Sequence, residues 1–261
     1  MKLLITNDDG VLAPGIVELV RRLSEHGEDC TVVAPDRERS STGHSVTLTR
    51  PLKLWPVEEG LYPDSCRVYA CDGTPSDCVL LGLEVIRTDA DMVLAGINRG
   101  PNLGDDLTYS GTVSAAMEGL LLGRPSMAFS LDCREEDEEH HYGTVSAVAR
   151  ALVDRSRLSP LPKEVLLSVN VPNLPLDEIR GTMVTRKGVR RYEEKVNRMK
   201  DPTGRSCYWV MGRAVDLLDE GSDVWAVAHG YVSITPVHMD MTHYPSLESL
   251  VSDGLEKINF S

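Results

Sequence analysis

The sequence predicts an α/β protein built on an open, doubly wound, mostly parallel sheet. Three observations carry that expectation. Short apolar runs rich in β-branched residues alternate with amphipathic stretches along most of the 261 residues. Polar clusters recur just after the apolar runs, where open parallel sheets bind their ligands. The composition, 41% hydrophobic and 26% charged, is that of an ordinary globular chain. Residues 1–261 read as one domain.

The elements follow in order. Segments 2–6 (KLLIT) and 30–35 (CTVVAP) read as strands. Between them Ile16, Leu19, Val20 and Leu23 fall on one helical face, with Pro14 suited to the first turn and Gly27 to the end. This β-α-β unit predicts two parallel neighbours. Segment 74–87 reads as a helix capped by Thr74, with Val79, Leu80, Leu83 and Ile86 inward. Segment 92–96 (MVLAG) is a strand, 112–123 a helix with a small-residue face, 126–130 a strand, 144–155 a helix and 164–172 a strand. Residues 186–225 are highly charged, with a turn signal at 201–204 (DPTG), and predict a β-hairpin or arm suited to oligomer contacts. A strand at 230–236 and a helix around 245–257 close the chain.

Charge and composition exclude several classes. A formal net charge of −13 argues against a nucleic-acid or membrane surface, which needs a basic patch. It permits a small anionic substrate, because a bound cation reverses the local sign. No apolar run approaches the ~20 residues needed to span a bilayer. The start, MKLLITNDDG, reads as a strand, too short and too acidic for a signal peptide. The six cysteines (30, 66, 71, 78, 133, 207) show no CxxC and no zinc spacing. They read as reduced thiols of a cytoplasmic protein, Cys30 and Cys78 in the core. Met183, Met199, Met211, Met239 and Met241 form no stripe and read as packing residues.

The chemistry is expected at the carboxyl edge of the sheet. Asp8 and Asp9 follow the first strand, 36–45 (DRERSSTGHS) follows the second, and 97–112 (INRGPNLGDDLTYSGT) follows the 92–96 strand. Each alone has a bland reading: Asp-Asp-Gly as a turn, Asn98 as a loop hydrogen-bonder, Ser110-Gly111-Thr112 as a helix cap. Together Asp8, Asp9, Asn98 and a hydroxyl among Ser40, Ser41 and Ser45 form a hard-oxygen set suited to Mg²⁺, Mn²⁺ or Ca²⁺. The helix start at 110–112 offers an anion site. A cation beside an anion site implies phosphate chemistry, the cation acidifying a water and neutralising phosphoryl charge. Asp105 and Asp106 are expected to hold the long loop. His44 reads equally as a phosphate contact or a turn cap, and His140-His141 as a solvated loop after the acidic run 134–139.

NDDG with APG, VVAPDRERS, DGTPSDCV, AGINRGPNLGDDLTYSGTVSAAMEG, NVPNLP and GYVSITP together resemble the SurE survival-protein family of metal-dependent 5′-nucleotidases. The motifs run from residue 3 to about 236, dense to 130 and thin across the arm. The resemblance implies a Rossmann-like fold with a protruding hairpin and a homodimer or homotetramer. It implies hydrolysis of nucleoside monophosphates, with some polyphosphate activity. It maps one divalent metal, Mg²⁺ or Mn²⁺, onto Asp8, Asp9, Ser40 and Asn98, the Ser40 match resting on PDRERS; the stretch 41–45 departs from the family pattern. The sequence reads as a phosphomonoesterase in which Asp8 or Asp9 accepts the proton of the attacking water and Asn102, Ser110, Gly111 and Thr112 hold the phosphate. A phosphotransferase through an aspartyl-phosphate and a non-enzymatic metal-nucleotide sensor are the alternatives. A nicotinamide dehydrogenase is disfavoured, since the first turn lacks G-x-G-x-x-G and its carboxylates repel pyrophosphate.

Overall fold

Strand-forming and helix-forming segments alternate from the first residues, and the chain order is that of a β-α-β protein. The computed structural model describes residues 1–58, 60–134, 136–193, 196–210 and 212–260. β1 (Lys2–Thr6) leads through α1 (Pro14–Glu25) to β2 (Asp29–Pro35). Pro14 opens α1, and Gly27 follows it at φ +83°. β3 (Leu54–Pro56), β4 (Arg67–Cys71) and α2 (Pro75–Leu81) come next. β5 (Met92–Arg99), α3 (Gly111–Leu121), β6 (Ser126–Asp132), α4 (Tyr142–Leu158) and β7 (Val165–Pro172) continue the alternation. β8 (Thr182–Val184) precedes the arm strands β9 (Val189–Glu193), β10 (Val196–Lys200), β11 (Ser206–Val210) and β12 (Arg213–Leu217). α5 (Asp223–Ala228), β13 (Val232–His238) and α6 (Tyr244–Ser252) end the chain.

Among the described residues nine strands form one sheet in the order β3-β4-β2-β1-β5-β6-β7-β13-β8. The six from β4 to β7 are mutually parallel. β3 runs antiparallel to β4, and β13 antiparallel to β7. The chain moves outward from β1 through β2 and β4, then returns to β5 on the other side of β1. β1 and β5 therefore flank the switch point of the topology, where α/β sheets leave a crevice.

Successive strand residues point to opposite faces, so one strand feeds two cores. Leu3 and Ile5 join the layer beneath α1 and α4, with Ile16, Leu19, Leu23, Val145 and Val153. Leu4 joins the layer beneath α2 and α3, with Cys78, Val79, Val113 and Ala116. α3 approaches the sheet closely: a Cβ on Gly119 would lie 2.5 Å from Ser126 Oγ and 2.8 Å from Val93 Cγ2. The small-residue face of this helix is what permits that distance.

Four details differ from the sequence expectation. β5 continues to Arg99, so Asn98 is a strand residue, with a register shift against β6 between Ala95 and Asn98. The helix after Thr74, closed by a reciprocal Thr74–Asp77 capping box, is α-helical only to Leu81 and widens to a π-turn over Gly82–Ile86. The C-terminal helix stops at Ser252 and resumes as a 3₁₀ turn at Leu255–Lys257, after Gly254 at φ +81°. β3, β4, β8 and α5 had no counterpart in the sequence reading.

The arm is a two-stranded ribbon. β9 pairs with β12 and β10 with β11, both antiparallel. Glu193 faces Arg213 and Val196 faces Val210, so both halves share one register. Met211 lies outside the described residues, and no packing role is assigned to it.

Candidate active site

The carboxyl ends of β1, β2 and β5 meet the start of α3 at the switch point. Asn7 Nδ2 donates to the Gly10 carbonyl at 2.9 Å and Val11 N to the Pro35 carbonyl at 2.8 Å, fixing the loop that carries Asp8 and Asp9. The buried Tyr62 hydroxyl donates to the Val11 carbonyl from below. Arg39 N donates to the Asp8 carbonyl at 2.7 Å, which brings the 36–45 loop alongside. A cavity of about 620 Å³ opens there, lined by Asp8, Ser40, Ser41, Asn98, Arg99, Asn102, Tyr109 and Ser110, with Tyr192 from the arm.

Asp8 is 4% exposed. Burial raises its pKa, opposed mainly by hydrogen bonding from the Thr112 hydroxyl and backbone. Asp9 Oδ2 accepts from Arg99 N at 3.0 Å. Burial first, and the Asp8 carboxyl second, push Asp9 up to about 7. Taking a carboxylate out of water costs several kcal/mol, and a hydrogen bond to a charged group returns roughly 1.5–3 kcal/mol. The surrounding neutral donors thus leave both charges under-compensated, which suits the pair to a cation.

The donor set fits a hard cation. Asn98 Nδ2 is committed to the Gly100 carbonyl at 2.8 Å, leaving its side-chain oxygen as the free end. Ser40 Oγ donates to Glu38 at 2.7 Å and keeps its lone pairs. Among the described residues no cluster of three or more His, Cys, Asp and Glu is arranged for a metal. Two carboxylates with an amide and a hydroxyl oxygen lie outside that description and match the chemistry of a hard divalent cation. Asp8, Ser40 and Asn98 share the larger cavity, whereas Asp9 faces an adjoining cavity of about 400 Å³ with Arg37, Arg99, His140 and Tyr142.

The expected phosphate cradle is rearranged. Gly111 and Thr112 do not line the cavity; both serve Asp8. Thr112 is fully buried on the Asp8 carboxyl, and a Cβ on Gly111 would lie 2.8 Å from Asp8 Oδ2. Ser110 lines the cavity but caps α3, accepting from Val113 N at 3.0 Å. Asn102 lines it too, held by Ser130 through its Nδ2 at 2.8 Å and by Asn170 through its backbone. Ser41 lines it at φ +56°, a conformation non-glycine residues seldom adopt. Ser45 does not line it.

The remaining polar groups find partners. His44 Nε2 pairs with Glu118 at 2.7 Å, so it neither meets the cavity nor caps a turn. Asp105 pairs with Lys187 at 2.5 Å, and Asp106 accepts from Arg190 at 3.2 Å and from Tyr192 at 2.7 Å. Gly104 N and Gly188 N both donate to Asp223, at 2.9 and 2.7 Å. These contacts lock the long loop to the arm's base, in line with the holding role expected of Asp105 and Asp106. His140 stacks on Tyr142 and joins the smaller cavity, so the loop after the acidic run is only partly solvated. Sequence reasoning missed Arg99, Tyr109 and Tyr192. Arg99 and Tyr109 sat inside the quoted 97–112 block; nothing local announces that Tyr192 folds back.

Fold and site together define an open α/β protein with an acidic, oxygen-lined crevice at its topological switch point. The profile of the family described as Survival protein SurE matches residues 3–194. A 5′-nucleotidase SurE of Synechococcus sp. (strain JA-3-3Ab) is 48% identical over the full length of both chains, and one of Geobacter metallireducens is 47% identical over 96% of each. The crystal structure of the SurE protein from Aquifex aeolicus superposes with a TM-score of 0.82 at 43% identity, covering 98% of this chain and 100% of that one. This chain belongs to the SurE family.

Two outcomes follow from the geometry. An unfolded carboxylate titrates near ~4, whereas Asp9 in the metal-free fold titrates at about 7. Between those values the folded state holds the extra proton, so Asp9 makes stability fall as pH rises. Mn²⁺ is therefore expected to raise Tm more at pH 8 than at pH 5, and Asp9→Asn to flatten the metal-free profile; thermal melts across pH read both. Gly111→Ala is expected to displace Asp8 and weaken metal affinity at least tenfold, about 1.4 kcal/mol, by calorimetric titration. Unchanged metal affinity with weakened phosphate inhibition would return Gly111 to the phosphate site.

Proposed function

We propose that this protein is a metal-dependent phosphomonoesterase that hydrolyses nucleoside 5′-monophosphates. The observation that carries the reading is the convergence of Asp8, Ser40, Asn98, Asn102 and Ser110 on one cavity at the β1–β5 switch point. The relatives' name, 5′-nucleotidase SurE, agrees with it.

Asp8, Asp9, Ser40 and Asn98 hold one divalent cation per subunit, Mg²⁺ or Mn²⁺, which when bound polarises a water and neutralises phosphoryl charge. Asp8 is kept ionisable and oriented by Thr112. Asp9, anchored by Arg99 N through one oxygen, offers the other as proton acceptor. Asn102, fixed by Ser130 and Asn170, and Ser110 at the start of α3 orient the phosphate. Arg99 stands at the boundary of both cavities and adds positive charge facing the phosphoryl oxygens. No described helix is long and apolar enough to cross a membrane. The thiols are free, as in a reducing compartment such as the cytoplasm.

The arm and the C-terminal segment supply a homodimer or homotetramer interface. Tyr208 and Trp209 are about three-fifths exposed on the ribbon, and α6 buries none of its residues. Such apolar surface is expected to be covered by a second copy.

The test is a phosphate-release screen over nucleoside monophosphates and polyphosphate, with and without chelator. Turnover is expected to vanish in EDTA and return with Mn²⁺ or Mg²⁺. Asp8→Asn and Asp9→Asn are each expected to lose at least a hundredfold in kcat while keeping the fold by circular dichroism; full activity in EDTA would overturn the reading. Sedimentation velocity at micromolar concentration is expected to show a dimer or tetramer, and a monomer would refute the interface.

A further inference from the structure

At the edge of the sheet opposite the crevice, strand register brings two thiols together. β2 and β4 are parallel neighbours with Thr31 opposite Arg67, so one step back sets Cys66 opposite Cys30. Neighbouring strands lie about 4.8 Å apart, within the roughly 4.4–6.8 Å Cα separation a disulfide spans. Both side chains are on the face covered by α1: Cys30 belongs to that core and Cys66 packs against it. Ser24 Oγ of α1 lies 3.0 Å from Cys66 Sγ, on the same core layer as Cys30. Cys30 is buried, whereas Cys66 is half-buried and within reach of a small solute.

We propose that Cys66 and Cys30 are a hydroperoxide-sensitive thiol pair, with Cys66 the attacking sulfur and Cys30 the resolving one. The neighbouring Cys30 thiol and the Ser24 hydroxyl hold the Cys66 thiol below its ordinary pKa, while the neighbouring Cys66 and burial raise Cys30. The two sulfurs are thus already unequal. The Cys66 thiolate attacks one oxygen of hydrogen peroxide and breaks the O–O bond; Cys66 becomes a sulfenic acid, and the departing hydroxide takes up a proton as water. The Cys30 sulfur then attacks the Cys66 sulfur and gives up its proton as hydroxide leaves, forming the S–S bond and a second water. Two thiols lose two electrons and the peroxide gains them.

The fold supplies its own comparison. Cys71 and Cys78 also share one core layer, but both are fully buried and lack a solvent-facing member. Proximity alone would oxidise both pairs; proximity with access oxidises one. The Cys30–Cys66 cross-link encloses the 36–45 loop and Tyr62 in a covalent ring, and closing such a ring restricts the unfolded chain.

Full-length protein is treated with hydrogen peroxide, denatured, alkylated and mapped by mass spectrometry. The expected product is a Cys30–Cys66 disulfide with Cys71 and Cys78 still alkylated, and a Tm raised by several degrees until dithiothreitol is added. Cys30→Ser is expected to leave a dimedone-reactive sulfenic acid on Cys66. Nucleotide turnover is expected to be unchanged by Cys66→Ser, which abolishes both products. Wild-type protein that keeps Cys66 reduced, or that oxidises Cys71–Cys78 equally fast, overturns the proposal. A sulfenic acid on Cys30 in Cys66→Ser overturns the assignment of the attacking sulfur.

Discussion

The carboxyl edge of the sheet is organised by one electrostatic constraint: two adjacent carboxylates, Asp8 buried and Asp9 half-buried, are touched only by neutral donors. Among the described residues neither Asp8 nor Asp9 forms an ion pair, and burial raises both. The surroundings are explained by that constraint. Thr112 and the start of α3 are spent on Asp8, and the Arg99 backbone on Asp9. Gly111 exists as a glycine because the helix must pass within a van der Waals radius of the Asp8 carboxyl.

The second organising feature is the coupling of arm and crevice. Asp106 accepts from Arg190 and Tyr192, and Arg190 also pairs with Asp216 at 2.7 Å on the opposite strand. Asp223 bridges Gly104 and Gly188 through two oxygens. The loop that follows β5 and the ribbon that follows β8 are therefore tied to each other at several points. An aromatic residue of the ribbon becomes a wall of the cavity as a consequence, although about ninety residues separate it from Asn102.

Much of this was legible in the sequence, for identifiable reasons. Strand periodicity and the Pro14 and Thr74 caps located β1, α1 and α2 because those signals are local. That Asp8, Ser40 and Asn98 meet at one cavity was legible because strand ends in such sheets share one edge; that Asp9 lines the adjoining cavity was not. The division of labour at α3 was not visible: a serine-glycine-threonine helix start serves an anion equally well whether that anion is a ligand or a buried Asp8. β4 escaped because its five residues follow a long irregular stretch, and β5 was read short because a glycine at 96 resembles a strand end. Tyr192 and the thiol register at Cys30 and Cys66 depend on tertiary pairing, which no short window contains.

The shared register of the ribbon has a consequence for how its length can vary. Glu193 faces Arg213 and Val196 faces Val210, so the two described stretches of pairing are in step. Side chains alternate faces along a strand, so a single unmatched insertion turns every later residue over. At the ribbon's base that would exchange Tyr192 for a neighbour and unmake a cavity wall. Insertions and deletions are therefore tolerated only as matched pairs, one in each strand, or at the 201–204 turn. The ribbon behaves as a ruler whose two edges must be cut together.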